Sequence, residues 1–359
     1  MTTTVTNSTL TLEPISTKSV RTYKDSPGIV VKKTKSVPNE IIDAQSASLY
    51  SKIHNDWRDD LVRDGYAVIK NAIPKDRAEN YQQEAFKWMK SFGNDELDFD
   101  DPKTWRKENL PPVDADINAY NCYGVTHEKF VWDARMEPGV LGEFEKLWGT
   151  DELLASFDAL NVTFPNRADA PEMKPWPHFD QSPFKPGLHC VQGIISLSNH
   201  GPADGGLVVY RGSNNLFNKF FATQVRKEDW DEFNYYQLSE SQLKWFIDNG
   251  CEEIKVNCEP GDLVLWDSRT CHWGMVPTEK SNTIRTVIYS CFTPAKFASE
   301  EALDTKKELF ESFSGTTHWP HADLTAVRNP VIKPIHRPQP LSMPELSDKL
   351  LKLAGAKHY

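Results

Sequence analysis

Positive charge is in short supply in this chain: 41 Lys and Arg stand against 51 Asp and Glu, for a formal net charge of −10. The isoelectric point falls near 5.5. A surface built for phosphate backbones or anionic lipids needs the opposite balance, so neither nucleic acid nor membrane is expected as a partner. No apolar run approaches the ~20 residues that span a bilayer. The N-terminal stretch also lacks the apolar core of a secretory signal. Cysteine is sparse: the six, at positions 122, 190, 251, 258, 271 and 291, form no Cys-x-x-Cys pair. Reduced thiols in a cytoplasmic protein are the simplest expectation.

What the chain does have is apolar and aromatic mass, 39% hydrophobic residues with 11 Trp, enough for a sizeable core. Residues 1–45 are rich in Thr, Ser and Lys without hydrophobic periodicity and are expected to form a flexible arm. Leu49, Ile53, Trp57 and Leu61 recur at helical spacing, which predicts a helix over 48–63 ending at Asp64-Gly65. A strand over 66–73 and a helix from Pro74 to about 92 follow. Residues 94–117 read as loop, and the aromatic, irregular stretch 118–133 as the rim of a pocket. Helices are expected over 138–148 and 152–159, and a strand over 160–164.

From His178 to Pro294 the grain changes to short strands, best seen at 188–197, 206–210, 254–258, 262–267 and 284–292. Turn signals such as Glu259-Pro-Gly-Asp262 separate them. A helical insertion over 227–249 interrupts the series. A helix over 300–313, a Pro-rich stretch (Pro330, Pro334, Pro338, Pro340) and a short helix over 344–353 complete the chain. The expectation is a mainly β fold with flanking helices around a double-stranded β-helix, or jelly roll. A single catalytic domain would occupy 46–298, with a helical part over 46–159 and the jelly-roll core over 160–298. Residues 299–359 would form a C-terminal extension.

Three His-x-Asp pairs occur: His54/Asp56, His178/Asp180 and His321/Asp323. With 10 His and 27 Asp in 359 residues, composition alone gives roughly 0.75 such pairs, so context must choose. On a helix, residues two apart point in different directions, which disfavours the first pair. On a strand they share a face. His321/Asp323 is followed only by His336 and His358, in Pro-rich or terminal sequence. His178/Asp180, in Trp176-Pro-His-Phe-Asp180, precedes the β-rich region and is joined 92 residues later by His272. Two imidazoles and a carboxylate are the facial triad of non-heme Fe(II) oxygenases. Cys271 adjoins His272, but neighbours on a strand face opposite ways, so a structural thiol is expected. His189 and His200 read as packed or solvated histidines.

Arg285 opens a strand pattern, Arg285-Thr-Val-Ile-Tyr289, in which Arg285, Val287 and Tyr289 share one face. A buried Arg among apolar neighbours needs a partner, and its fork suits a carboxylate. Arg269, close to His272, competes for that role.

At these residues the chain resembles the phytanoyl-CoA dioxygenase family of Fe(II)/2-oxoglutarate oxygenases. The likeness begins at Asp64-Gly-Tyr-Ala-Val-Ile69 and continues through His178-Phe-Asp180 and Gln192-Gly-Ile-Ile-Ser-Leu197. It then takes in Asp204-Gly-Gly-Leu-Val-Val-Tyr-Arg-Gly-Ser213, Trp266 to Gly274, and Arg285. The form Trp-Pro-His-Phe-Asp-Gln-Ser-Pro is most similar to a fungal-type branch. The resemblance implies that His178, Asp180 and His272 hold Fe(II) and that Arg285 binds the distal carboxylate of 2-oxoglutarate. For the 1-carboxylate it offers Asn161 first, with Ser196 and Gln192 behind it. It further implies O2 as second co-substrate, and oxidation of an aliphatic C–H with release of succinate and CO2. Related halogenases carry Gly or Ala at the carboxylate position; Asp180 therefore argues for oxygenation, with desaturation or ring formation as other fates.

Two rivals differ in class. A zinc hydrolase could use the same three ligands with water in the fourth position, but no placed general base is visible. A non-catalytic jelly-roll binding protein would be expected to have lost a ligand or the Arg. The substrate is expected to be a small metabolite. The tripeptide Lys357-His358-Tyr359 is not a Ser-Lys-Leu type address. Oligomeric state is left open, a homo-oligomer included.

Overall fold

Two antiparallel sheets face one another, and period-two alternation decides which side chains lie between them. The computed structural model describes residues 29–31, 34, 36–112, 119–170, 173–327 and 337–359. In chain order the strands are Ile29–Val31 (β1), Tyr66–Ile69 (β2), Ala119–Tyr120 (β3), Leu153–Ala155 (β4), Leu160–Thr163 (β5), His178–Phe179 (β6), Val191–Ser196 (β7), Gly206–Arg211 (β8), Tyr236–Gln237 (β9), Glu252–Lys255 (β10), Leu263–Asp267 (β11), His272–Met275 (β12), Arg285–Tyr289 (β13), Phe292–Pro294 (β14) and Thr325–Val327 (β15). The major sheet is ordered β2-β11-β7-β13-β5-β3 and the minor sheet β10-β8-β12-β6-β9. The pairs β14/β4 and β1/β15 stand apart as two small ribbons.

Along β8, Leu207 and Val209 join Ile194, Val264, Trp266 and Val287 of the major sheet in the core between the sheets. Val208 and Tyr210 point the other way, into a cluster with Phe179, Phe217, Phe220 and Phe246. The same parity runs through β7 and β13, whose Ile195 and Ile288 face the outer helices. This is the jelly roll expected from the sequence, and a one-residue slip in any strand would turn its interior face outward. Helices cover the back of the major sheet: Asn39–Tyr50 (α1), Trp57–Asp64 (α2), Lys75–Lys90 (α3), Lys129–Arg135 (α4) and Pro138–Trp148 (α5). Each fully buried Leu or Phe in that layer contributes about 1.5–3 kcal/mol. Phe217–Gln224 (α6) and Glu240–Asp248 (α7) cover the minor sheet; Glu300–Glu311 (α8) and Asp348–Leu353 (α9) close the chain.

Several expectations need correction. The helix over 48–63 is two helices, α1 and α2, broken where Asn55 takes φ 60°. Asp56 caps α2 by accepting from Arg58 N at 3.0 Å. Asp59 accepts the N–H groups of His54 and Asn55 at 2.8 and 2.7 Å. Short acidic side chains here compete with the helix for the backbone. The arm expected over 1–45 contains β1 and the start of α1; the remainder lies almost wholly outside the described residues. Residues 152–159 hold β4, paired with β14, not a helix: Leu153, Leu154 and Ala155 are buried on both faces, a pattern without helical period. The stretch 119–133 is largely core, with Tyr120, Tyr123 and Trp132 buried, while Glu128, Lys129, Phe130 and Asp133 line a surface pocket with Tyr81, Trp88 and Leu341; Asn118 lies outside the described residues. The insertion starts earlier than expected, at α6, and includes the edge strand β9. Pro330, Pro334 and His336 lie outside the described residues.

Candidate metal centre

β6 and β12 are neighbours in the minor sheet, with His178 directly opposite His272. Asp180 follows two residues on, so it returns to the face of His178. Asp180 Oδ2 lies 3.2 Å from His272 Nε2, and Oδ1 lies 3.5 Å from His178 Nε2. One donor atom from each residue falls within 4.8 Å of the other two. Local main chain sets both rings: His178 Nδ1 meets Trp176 O at 3.0 Å, and His272 Nδ1 meets Thr270 O at 2.9 Å. A carbonyl only accepts, so each Nδ1 carries the hydrogen and each Nε2 presents its lone pair toward Asp180.

Electrostatics favour the ligand forms of Asp180 and His272. Burial alone would raise the Asp180 carboxyl, but His178, His318 and His272 hold it well below the usual carboxylate range. Burial and the neighbouring His178 push His272 down. A carboxylate and neutral imidazoles are what a divalent cation needs. Two imidazole nitrogens and one carboxylate oxygen fit Fe(II) with open positions remaining. Trp176 stacks on His178 at 4.5 Å, and Tyr235 lies 5.0 Å from the same ring. Gln192 Nε2 donates to Asp180 Oδ2 at 3.0 Å.

Arg285 lies on the interior face of β13. One guanidinium nitrogen donates to Asn161 Oδ1 at 2.8 Å, and Thr163 Oγ1 donates to the same oxygen at 2.9 Å. Nε of Arg285 is buried with no partner. Lys255 stands beside it, pushed down to about 8 by burial and by Arg285. Gly206, at φ 151°, opens the space: a Cβ there would lie 3.1 Å from Lys255 Nζ and 3.7 Å from Arg285 Nε. Two adjacent cations, one with an orphaned donor, make a seat for a carboxylate.

The structure brings His178, Asp180 and His272 together and puts Asn161 against Arg285. The competitor Arg269 is occupied: it meets Asp267 Oδ2 at 2.7 Å and the Tyr50 hydroxyl at 2.6 Å. Ser196 Oγ donates to Ser198 O at 2.8 Å, and His200 packs between Cys258 and Ser196. His321 meets Thr293 Oγ1 at 3.0 Å, and Asp323 accepts from Lys185 and Asn234. Cys271 points to the outer cluster with Phe179 and Trp273.

Three neighbours of the site went unread in the sequence. Lys255 looks there like any Lys on an edge strand. Asp158, just before β5, is pushed up to about 7 by burial, with the Ala159 N–H and Arg135 opposing. His318 arrives from the segment after α8, where only the local string Thr-Thr-His-Trp-Pro hints at anything but tail. Among the described residues no helix is long and apolar enough to cross a membrane.

Comparison with known proteins shows the family of the chain. The family model described as phytanoyl-CoA dioxygenase (PhyH) matches residues 61–277. A curated relative, Ava biosynthesis cluster protein O of Aspergillus versicolor, is 44% identical over 281 residues, covering 76% of this chain and 89% of the relative. Among solved structures, the hypothetical protein JW0805 of Escherichia coli, at high pH, aligns with a TM-score of 0.51 at 16% identity, over 79% of this chain and 84% of that one. GlcNAc Inducible Gene 2 of Candida albicans aligns with a TM-score of 0.50 at 16% identity, over 70% of this chain and 66% of that one. At such identities the two structures speak for the fold alone. The chain belongs to the phytanoyl-CoA dioxygenase family, and it is a non-heme iron, 2-oxoglutarate-dependent oxygenase.

Proposed function

We propose that this oxygenase hydroxylates an aliphatic C–H of a small-molecule metabolite, with His178, Asp180 and His272 holding Fe(II) and Arg285 receiving the distal carboxylate of 2-oxoglutarate. The observation that carries the reading is a complete His-Asp-His set sharing one interior with an Arg whose Nε is buried and unpartnered. When bound, Fe(II) and 2-oxoglutarate would activate O2, the oxidant, one of whose atoms would go into succinate as CO2 leaves and the other into the substrate C–H.

The chain's own residues do the rest. Arg285 and Lys255 neutralise the distal carboxylate and fix the direction of the co-substrate. Asn161 orients the Arg285 guanidinium, and so acts at the distal end. Gln192, already at the ligand Asp180, is the better placed amide for the 1-carboxylate. Trp176 and Tyr235 hold the ring of His178 and wall the site with apolar surface. These aromatic walls suit a largely apolar metabolite, and the cluster membership of the Aspergillus versicolor relative supports a biosynthetic intermediate. An acyl-CoA would need further basic contacts, which the acidic balance of the chain disfavours.

Anaerobic titration of the metal-free protein with Fe(II) and 2-oxoglutarate tests the reading. A weak visible charge-transfer band is expected in the wild type. His272→Ala abolishes it, and Arg285→Ala moves it to higher 2-oxoglutarate. Succinate release in the presence of candidate metabolites, with the product carrying one added oxygen, tests hydroxylation itself. A wild type that binds iron but gives no band overturns the assignment.

A further inference from the structure

β13 and β5 are antiparallel neighbours, with Arg285 opposite Thr163 and Val287 opposite Asn161. Residues two apart on a strand share a face, so Asn161 and Thr163 both lie on the side from which Arg285 projects. All three are buried. Arg285 reaches past its direct partner Thr163 to the amide of Asn161, and Thr163 turns its hydroxyl to that same amide.

An Asn amide can sit either way round, with its oxygen or its nitrogen toward a neighbour. Here the neighbours decide. A guanidinium only donates, so the atom 2.8 Å from Arg285 Nη1 is Asn161 Oδ1. A hydroxyl can donate or accept; toward Oδ1, at 2.9 Å, that of Thr163 donates. Thr is β-branched and stiff at χ1, so the strand itself sets where this donor points. Without the hydroxyl the amide loses this hold and is freer to turn its NH2 toward the guanidinium, donor against donor.

The hold matters for the side of Arg285 that is offered. Nη1 is engaged by Asn161, while Nε is buried without a partner. A Cβ on Gly206 would lie 3.7 Å from Nε and 3.1 Å from Lys255 Nζ. The edge of the guanidinium that carries Nε thus faces the space Gly206 leaves beside Lys255. A planar fork held at one corner keeps its open edge in one direction.

We infer that Thr163 is a positioning residue of the co-substrate seat: its hydroxyl fixes the Asn161 amide and, through it, the direction of the Arg285 guanidinium. This rests on the reading of Arg285 as the receiver of the distal carboxylate of 2-oxoglutarate.

The test is anaerobic calorimetric titration of the full-length, Co(II)-loaded protein with two keto acids. One is 2-oxoglutarate; the other is 2-oxovalerate, which carries a methyl group where 2-oxoglutarate carries its distal carboxylate. Thr163→Val keeps the shape of the side chain and removes the donor. It is expected to weaken 2-oxoglutarate binding by about 3–10-fold, the range for one hydrogen bond, and to leave 2-oxovalerate and Co(II) affinities unchanged. Thr163→Ser should restore the wild-type value. In an Asn161→Ala background, Thr163→Val should add nothing, because the relay is already cut. Thr163→Ala takes the place of Thr163→Val if the latter does not fold, and Co(II) affinity is the control if 2-oxovalerate binds too weakly to titrate. Wild-type 2-oxoglutarate affinity in Thr163→Val overturns the inference. So does equal weakening of both keto acids, or a full effect in the Asn161→Ala background, since the hydroxyl would then act by another route. Failure of the Arg285 reading is separately visible: the wild type would then bind both keto acids alike, or Arg285→Ala would keep the preference for 2-oxoglutarate.

Discussion

His178 and His272 sit directly opposite one another across β6 and β12, with ring centroids 4.3 Å apart. Two of the three candidate ligands are thus placed by sheet register, and only Asp180 depends on irregular chain. Register is stiff because a slip would expose the interior face of the strand.

Asp180 is accordingly the sensitive member. Asp180→Asn removes the charge and leaves the shape, and should weaken Fe(II) or Co(II) binding by more than about 100-fold, beyond the range for outer contacts. Gln192→Leu deletes only the amide that donates to Asp180 Oδ2 and should cost about 10–100-fold. Calorimetric titration of both variants with Co(II) checks the order.

Lys255 gives a pH signature. Its value of about 8 lies below the ordinary 10.5, so the free protein loses that charge as pH rises through 8. A bound carboxylate favours the charged form. Affinity for 2-oxoglutarate should therefore be highest below pH 8 and fall between about pH 8 and 10. Lys255→Met should bind 2-oxoglutarate more weakly below pH 8 and show no fall across that window. An equally steep fall in Lys255→Met would assign the titration to another group.

Arg269 separates structure from binding. It is held by Asp267, whose side chain is 2% exposed, and Arg269→Met would strand that carboxylate. A stability loss of about 3 kcal/mol is expected, read as a lower urea midpoint. The dissociation constant for 2-oxoglutarate should stay at the wild-type value, whereas Arg285→Ala should raise it at little cost in stability.

Gly206 tests the space around the carboxylate seat. At φ 151° a side chain is strained, and the Cβ would press on Lys255 Nζ. Gly206→Val should cost about 1–3 kcal/mol and raise the 2-oxoglutarate dissociation constant, while Co(II) alone binds as in the wild type. Paired titrations with metal and with 2-oxoglutarate distinguish the two effects.

Much of this was legible in the chain because alternation is a local property. His178 and Asp180 on one face, Arg285 with Val287 and Tyr289, and the strands from 188 to 292 all follow from period two. The misreadings have local causes as well. Leu153-Leu154-Ala155 is a three-residue apolar run, which periodicity does not assign to helix or strand. The break between α1 and α2 depends on Asp56 and Asp59 capping a helix start within an unbroken apolar stripe. What no local pattern contains is closeness between distant segments. Lys255 meets Arg285 because β10 pairs with β8 and Gly206 leaves room. His318 comes within electrostatic reach of Asp180 because the chain returns to the barrel after α8. Both depend on topology, and neither has a spacing that announces it.

The pairing of β1 with β15 joins residues 29–31 to 325–327, so most of the described chain lies between two strands that hydrogen-bond to one another. Closing a loop of about 300 residues costs more chain entropy than any other strand pairing among the described residues, so this ribbon is expected among the last contacts to form as the protein folds.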